Sequence, residues 1–317
     1  MLNTQQHNWV IWCSRMIDNV ADIITKLSEL HVKPKCLLVQ LPSGLKTRAV
    51  ELLDTLRAKG YGAILAADDC FGACDLPLEA ARASGADAIL HIGHVRFNRP
   101  IETKVPIVYY EWPLEVAIDE KKLAKEIAKI KEKNVGLVSS VQYLHVLPKI
   151  AELIRAAGKG AIVGGHVLGC WTKNAEQVAA KTDALLFVGS GMFHPRGFKC
   201  DYFFDLERGE IRDVRNEINK WDKVRWGRIS KAKDACIFGI LVSTKPGQTD
   251  MKQAESIKDE LEKRDKKAFI LVMDKITDAA LLGLDVDAFI NTACPRLMDD
   301  SWSKPFINAA DVAKIFE

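Results

Sequence analysis

Two cysteines four residues apart, Cys70 and Cys74 in the stretch CFGACDLP, are the first residues in this chain whose type and spacing could do chemistry. Three thiolates spaced C-x3-C-x2-C can hold three irons of a cubane cluster and leave the fourth iron open. An open metal position is what separates a catalytic site from a closed structural one. Here the third slot is Pro77, so the segment alone is one ligand short. Core packing, a disulfide and a ligand set completed from elsewhere in the chain all stay open for these thiols.

The elements that could position such a set begin with composition. The chain has 317 residues, nearly half of them apolar, and a formal net charge of +3, which suits a globular protein of two or three domains and excludes a disordered one. So small a positive balance gives no footing for direct nucleic-acid binding. The alternating charges of Glu120 to Lys133 read as a solvated helix face. The opening MLNTQQHNWVIWCSRM lacks the pattern of a signal peptide, and no apolar run reaches membrane-spanning length. A cytoplasmic location is expected, where eight cysteines are poorly explained as disulfides. Cys13, Cys36, Cys200 and Cys236 lie in or beside apolar segments and are expected in the core.

One pattern occurs three times. Asp87-Ala88-Ile89-Leu90-His91-Ile92-Gly93 recurs as Asp183-Ala184-Leu185-Leu186-Phe187-Val188-Gly189 and as Asp287-Ala288-Phe289-Ile290-Asn291-Thr292-Ala293, at offsets of 96 and 104 residues. Upstream of each copy lie two apolar runs: 37–41 and 63–66, 135–138 and 161–163, 237–242 and 269–272. A fourth run follows each, at 106–110, 202–204 and 305–307. Short apolar runs bounded by Gly, Pro or Asp suit strands of a parallel sheet buried on both faces. The expected fold is α/β: three repeated domains, each a four-stranded parallel sheet flanked by helices in a β-α-β-α-β-α-β layer, arranged about a pseudo-threefold axis. The boundaries fall at 1–112, 113–215 and 216–317, with an extra helix within 1–32 on the first domain.

In such sheets chemistry gathers at the carboxyl ends of the strands. That rim carries Pro42-Ser43-Gly44 and Lys245-Pro246-Gly247-Gln248 after the first strands. Cys70 to Cys74 and Gly169-Cys170 follow the second, and Gly93-His94, Gly189-Ser190-Gly191 and Ala293-Cys294-Pro295-Arg296 follow the third. Cys294 takes the slot that His94 and Ser190 fill in the other copies. Pointed at one centre, Cys74, Cys170 and Cys294 could hold an open cubane cluster. From spacing alone, three buried cysteines without metal is the equal alternative.

The residues resemble a known family, the archaeal 2-(3-amino-3-carboxypropyl)histidine synthases of the first step of diphthamide synthesis. The matching stretches are LLVQLPSGL (37–45), FGACD (71–75), ILHIGH (89–94), VLGC (167–170), FVGSGMFHPRG (187–197), KPGQ (245–248) and ACPR (293–296), in order along the chain. The resemblance implies a homodimer of three-domain subunits and a 4Fe-4S cluster held by Cys74, Cys170 and Cys294. Cys70 is then not a ligand, and CFGACDLP only looks like a truncated motif of the conventional radical S-adenosylmethionine enzymes.

The implied reaction moves the 3-amino-3-carboxypropyl group of S-adenosylmethionine to C2 of a histidine of archaeal elongation factor 2. Methylthioadenosine leaves, and an external one-electron donor is required. Candidates for orienting the cofactor are Pro42, Ser43, Gly44, Gly189, Ser190, Gly191, Gln248 and Arg296. His94 and His194 are candidate substrate contacts, and Trp171 and Lys173 are candidates for the entrance of the protein substrate. The competing readings are a Lewis-acid enzyme similar to quinolinate synthase and a non-catalytic iron-sulfur partner subunit; the presence of all three cysteines argues against the latter. The last residues, DVAKIFE, read as the start of a helix and end earlier than the family pattern implies.

Overall fold

The structure, a computed structural model, describes residues 16–317. Cys13 and the first half of the expected N-terminal helix lie outside the described residues. The chain divides into two compact units, the first ending at Trp112 and the second running Pro113–Glu317.

In the first unit, helix α1 (Met16–Ser28) precedes β1 (Cys36–Gln40), α2 (Ala49–Ala58), β2 (Gly62–Ala66), α3 (Leu78–Ser84), β3 (Ala88–Ile92) and β4 (Ile107–Tyr110). The strands form one sheet in the order β2-β1-β3-β4, all parallel. Val20, Ile23 and Leu27 of α1 are buried at helical spacing. Lys26 Nζ ties the helix to β4, donating to the Tyr109 carbonyl at 3.1 Å and to Glu111 at 2.9 Å.

The second unit holds two sheets. Helix α4 (Glu120–Ile127) leads into β5 (Asn134–Ser139), α5 (Leu147–Ala156), β6 (Gly160–His166), α6 (Lys173–Ala179), β7 (Ala184–Gly189), β8 (Tyr202–Asp205) and β9 (Glu210–Asp213), in the order β6-β5-β7-β8-β9. The long α7 (Arg215–Lys233) then opens β10 (Ile237–Ser243), α8 (Met251–Glu262), β11 (Lys267–Met273), α9 (Asp278–Leu281), β12 (Ala288–Asn291) and β13 (Phe306–Asn308), in the order β11-β10-β12-β13. Helix α5 shows why these segments are helical: Leu147, Ile150, Ala151 and Ile154 recur at i, i+3, i+4 and i+7 and are all buried on its sheet-facing side.

The repeated aspartate has the same task in each sheet. Asp87 accepts from the backbone N–H of Lys35 and Cys36 at 2.8 and 3.0 Å. Asp183 accepts from the backbone and side-chain N–H of Asn134 at 2.9 and 3.0 Å, and Asp287 from the backbone N–H of Cys236 and Ile237 at 2.9 and 2.8 Å. A carboxylate at the start of the third strand thus latches the start of the first, and it supplies an acceptor where no neighbouring strand does.

Four expectations need correcting. The second sheet has a fifth, antiparallel strand, because the 206–209 turn lets β9 fold back on β8. The third crossover of the layer is not an α-helix: it is a three-residue 3-10 turn at Pro195–Gly197 and a five-residue one at Pro295–Asp299, each opened by a proline that withholds a backbone donor. Edge strands β6 and β11 are not buried on both faces, since Ile162, Val163, Phe269 and Val272 are exposed. Finally, Cys200 is buried, whereas Cys36 is half-buried and Cys236 is exposed, because both lie at the amino end of the first strand of a sheet, opposite the rim, where coverage ends.

Helix α7 buries only Ile218, Ile229 and Ala232, so charge does part of the anchoring. Arg225 donates to both oxygens of Asp311, whose side chain is fully buried, and Lys314 donates at 2.8 Å. Burial alone would raise the Asp311 carboxyl; the hydrogen bonds from Arg225 and Lys314 outweigh it and hold the group below the usual carboxylate range. Asp311→Ala is expected to cost about 2 kcal/mol, below the 3–5 for fully buried pairs because Arg225 is partly exposed. A group whose folded pKa is depressed stabilises above the unfolded pKa of about 3.9 and loses that contribution as pH falls. Urea midpoints of wild type and Asp311→Ala should therefore differ at pH 7 and converge towards pH 3; an equal gap at both pH values would contradict this account.

Candidate metal centre

A strand order of 2-1-3-4 puts the crevice where the order reverses, at the carboxyl ends of the first and third strands. In the first sheet the facing residues there are Gln40 and His91; at the equivalent register the second sheet has Val138 and Phe187. Gln40 and His91 start a hydrogen-bonded chain. Gln40 Nε2 donates to the Asp75 carbonyl at 2.6 Å, which turns Gln40 Oε1 towards His91 Nδ1 at 2.7 Å. His91 Nδ1 must then carry the proton, and Nε2 is left to accept from His94 Nδ1 at 3.0 Å. His94 presents Nε2 with its lone pair. Burial, helped by the neighbouring His94, pushes His91 down to about 3, and burial pushes His94 down to about 4; both rings are neutral near pH 7.

Cys74 sits in a tight turn beside this chain. The Asp75 N–H donates to the Gly72 carbonyl at 2.9 Å, and the Asp75 carboxylate accepts from the Phe71 N–H at 3.3 Å. Within the turn Cys70 is buried and Cys74 half-buried. Burial pushes the Cys70 thiol up to about 12, so it stays protonated. The expected cofactor loop Pro42-Ser43-Gly44 is nearby: the Pro42 ring lies against Gly93, whose φ of 93° a side chain would strain.

In the second unit Cys170 rides on a turn closed by reciprocal backbone hydrogen bonds between Leu168 and Trp171 at 3.0 and 3.2 Å. Trp171 stacks on His166 with centroids 4.9 Å apart. The Gly169 N–H donates to His194 Nδ1 at 3.2 Å, so His194 holds the cysteine turn. The backbone of Gly197 packs directly on that of Gly169. Arg296 lies against Gly169 and over the Phe193 ring, with its guanidinium 5.3 Å from the centroid.

Arg296 joins two of the predicted ligands. Burial lowers its pKa, while Asp299, Cys294 and Cys170 act to raise it, so both thiols stand within electrostatic reach of one guanidinium. Its side chain is 9% exposed and pairs with Asp299. Arg196, stacked 3.8 Å from the Trp221 centroid, also acts on Asp299. The Nε atoms of both arginines are buried without a hydrogen-bond partner. Thiols on rim loops beside cations short of acceptors fit an anionic, thiolate-ligated group such as an iron-sulfur cluster.

The remaining predicted residues are dispersed within this rim. Ser190 accepts from the Tyr143 hydroxyl at 3.3 Å, Gly189 and Gly191 flank it at the end of β7, and Gln248 closes the turn after β10 by donating its N–H to the Lys245 carbonyl at 2.9 Å. Asn291, at the His91 position of the third sheet, donates to the Cys294 carbonyl at 2.8 Å. Gln40, His91, Arg196, Trp221 and Asp299 were not predicted as site residues. His91 had a signal: it is the polar residue inside a buried apolar pattern whose second copy carries Phe187.

Residues 41–316 match the family described as "Putative diphthamide synthesis protein". The chain is 29% identical to 2-(3-amino-3-carboxypropyl)histidine synthase of Pyrococcus horikoshii, covering 92% of this chain and 88% of the relative. It is 26% identical to the enzyme of the same name from Methanocaldococcus jannaschii, covering 88% and 83%. Crystal structures of Dph2 from Pyrococcus horikoshii, one of them with a 4Fe-4S cluster, superpose with TM-scores of 0.83 and 0.82 at 27% identity; each covers 93% of this chain and 89% of the other. With sequence match, fold and a thiol-bearing rim in agreement, this chain belongs to the diphthamide synthesis protein family.

Proposed function

We propose that this protein is a 2-(3-amino-3-carboxypropyl)histidine synthase that transfers the 3-amino-3-carboxypropyl group of S-adenosylmethionine to C2 of a histidine of archaeal elongation factor 2. It acts in the cytoplasm as a homodimer of three-domain subunits (1–112, 113–215, 216–317) supplied by an external one-electron donor. The observation that carries the reading is the contact between two rim loops: the buried Arg296, two residues after Cys294, packs against Gly169, the residue before Cys170.

Cys74, Cys170 and Cys294 would hold the 4Fe-4S cluster. When bound, that cluster supplies one electron to the sulfonium, so that the bond to the γ-carbon breaks and methylthioadenosine is released. The protein's task is to present the γ-carbon and keep water away. Arg296 and Gln248, with backbone N–H groups of the Pro42-Ser43-Gly44 and Gly189-Ser190-Gly191 turns, bind the polar ends of S-adenosylmethionine. His94, through Nε2, and His194 hydrogen-bond the substrate.

The test is anaerobic: reconstitute the protein with iron and sulfide, reduce with dithionite, add S-adenosylmethionine and identify the nucleoside released. Methylthioadenosine is expected. Deoxyadenosine would mean conventional radical chemistry, and no cleavage with an intact cluster would mean a Lewis-acid enzyme or a supporting subunit.

A further inference from the structure

We propose that Cys70, His91 and His94 form a second metal site, independent of the cluster, in which one thiolate and two imidazoles take a divalent cation of the zinc class. One ligand atom from each of the three residues lies within 4.8 Å of the other two, and Cys70 and His91 are buried. A tetrahedral ion with bonds of about 2.3 Å to sulfur and 2.0–2.1 Å to nitrogen spaces its nitrogen ligands about 3.3 Å apart. His91 Nε2 and His94 Nδ1 already stand 3.0 Å apart, sharing one proton. An ion in place of that proton needs only a small opening of the pair.

The surroundings match what a bound ion requires. A metal-ligating histidine usually donates its other N–H to a carbonyl or carboxylate, which fixes the ring and the tautomer. His91 does so to Gln40 Oε1, and Gln40 is itself fixed by the Asp75 carbonyl. Nor does the fold demand polar groups here, because Val138 and Phe187 fill the same register in the second sheet. A buried polar cluster that packing does not need is costly unless fully satisfied. Sulfur with two imidazoles is a borderline-soft donor set suited to zinc.

Binding releases one proton and moves no electron. The Cys70 S–H bond breaks, its proton goes to solvent and a sulfur–metal bond forms. The His94 proton passes through solvent from Nδ1 to Nε2, freeing Nδ1 for the metal and turning Nε2 from an acceptor into a donor. The ion would thereby pin the turn that carries Cys74 to the end of β3.

Full-length protein with Cys74, Cys170 and Cys294 all changed to Ser, which removes the cluster ligands, is titrated anaerobically with Co²⁺ alone and then with Zn²⁺ as competitor. One equivalent of Co²⁺ should bind with a sulfur-to-cobalt charge-transfer band that Zn²⁺ abolishes. Adding Cys70→Ser should remove the band, and Gln40→Ala should weaken binding about 10–100-fold. A band undiminished by Cys70→Ser, or no band in triple-Ser protein with wild-type circular dichroism, overturns the site.

A second measurement does not depend on that variant folding. Holoprotein reconstituted with iron and sulfide and then exposed to Zn²⁺ should hold one zinc per chain beside its iron, and Cys70→Ser should lose the zinc while keeping the iron. Holoprotein that takes up no zinc overturns the proposal. Iron measured in the same sample separates failure of this site from failure of the cluster assignment.

Discussion

Changing any one of Cys74, Cys170 or Cys294 to Ala should reduce methylthioadenosine formation by about 10³-fold or more, equivalent to about 4 kcal/mol of transition-state stabilisation. The reason is the ligand count. Three thiolates leave one iron of a cubane open for chemistry; two leave a second iron unheld, and the cluster is lost rather than weakened. Cys236→Ala is the matched control, since that thiol is exposed at the start of β10, the end of the strand opposite the rim. Iron content and the visible absorbance of the cluster should fall together in the three site variants and stay at wild-type levels in Cys236→Ala. Full iron content in any of the three would remove that cysteine from the ligand set. An equal loss in the control would point to general damage by substitution.

Gly197→Ala should lower cluster occupancy without touching a ligand. An added Cβ at Gly197 would overlap the carbonyl of Gly169, and this is backbone, which has no rotamer to escape into. The conflict must be relieved by displacing the turn that carries Cys170, at about 1–3 kcal/mol for an overpacked contact. Gly227, inside α7, has nothing within 4 Å of an added Cβ; there alanine should stabilise by about 0.5–1 kcal/mol through helix propensity. Urea midpoints of the apoproteins, followed by iron content after reconstitution, test both. A Gly197→Ala protein with an unshifted midpoint and full iron would show that the Gly169–Gly197 contact does not position Cys170.

Much of this arrangement was legible in the sequence because it rests on local pattern. The apolar runs ending at Leu41, Val138 and Val242 mark the first strand of each sheet, and the DAILHIG, DALLFVG and DAFINTA copies mark the third. The same alignment puts Cys294 in the slot of His94 and Ser190. Contacts that join distant positions were not legible. The Gln40–His91 pair spans 51 residues and depends on strand register, and nothing local tells that Arg196 stacks on Trp221. Strand β9 was missed because four residues with one buried apolar side chain give too weak an alternation to count as a strand. Cys236 was misjudged because an apolar neighbourhood in sequence says little about coverage at the first residues of a strand.

The aspartate latch has a bearing on ancestry. Asp87, Asp183 and Asp287 perform one task at the amino end of three sheets, with donors at the start of β1, β5 and β10. Beyond the carboxyl ends of the third strands, β3, β7 and β12, the corresponding slots hold His94, Ser190 and Cys294. Tandem duplication of a single α/β segment leaves such a record: the end that closes the sheet keeps its inherited residue in every copy, while the other end diverges. On this view the three copies began as equivalents and diverged at their carboxyl edges, where the slot after the third strand now holds a histidine, a serine and a cysteine.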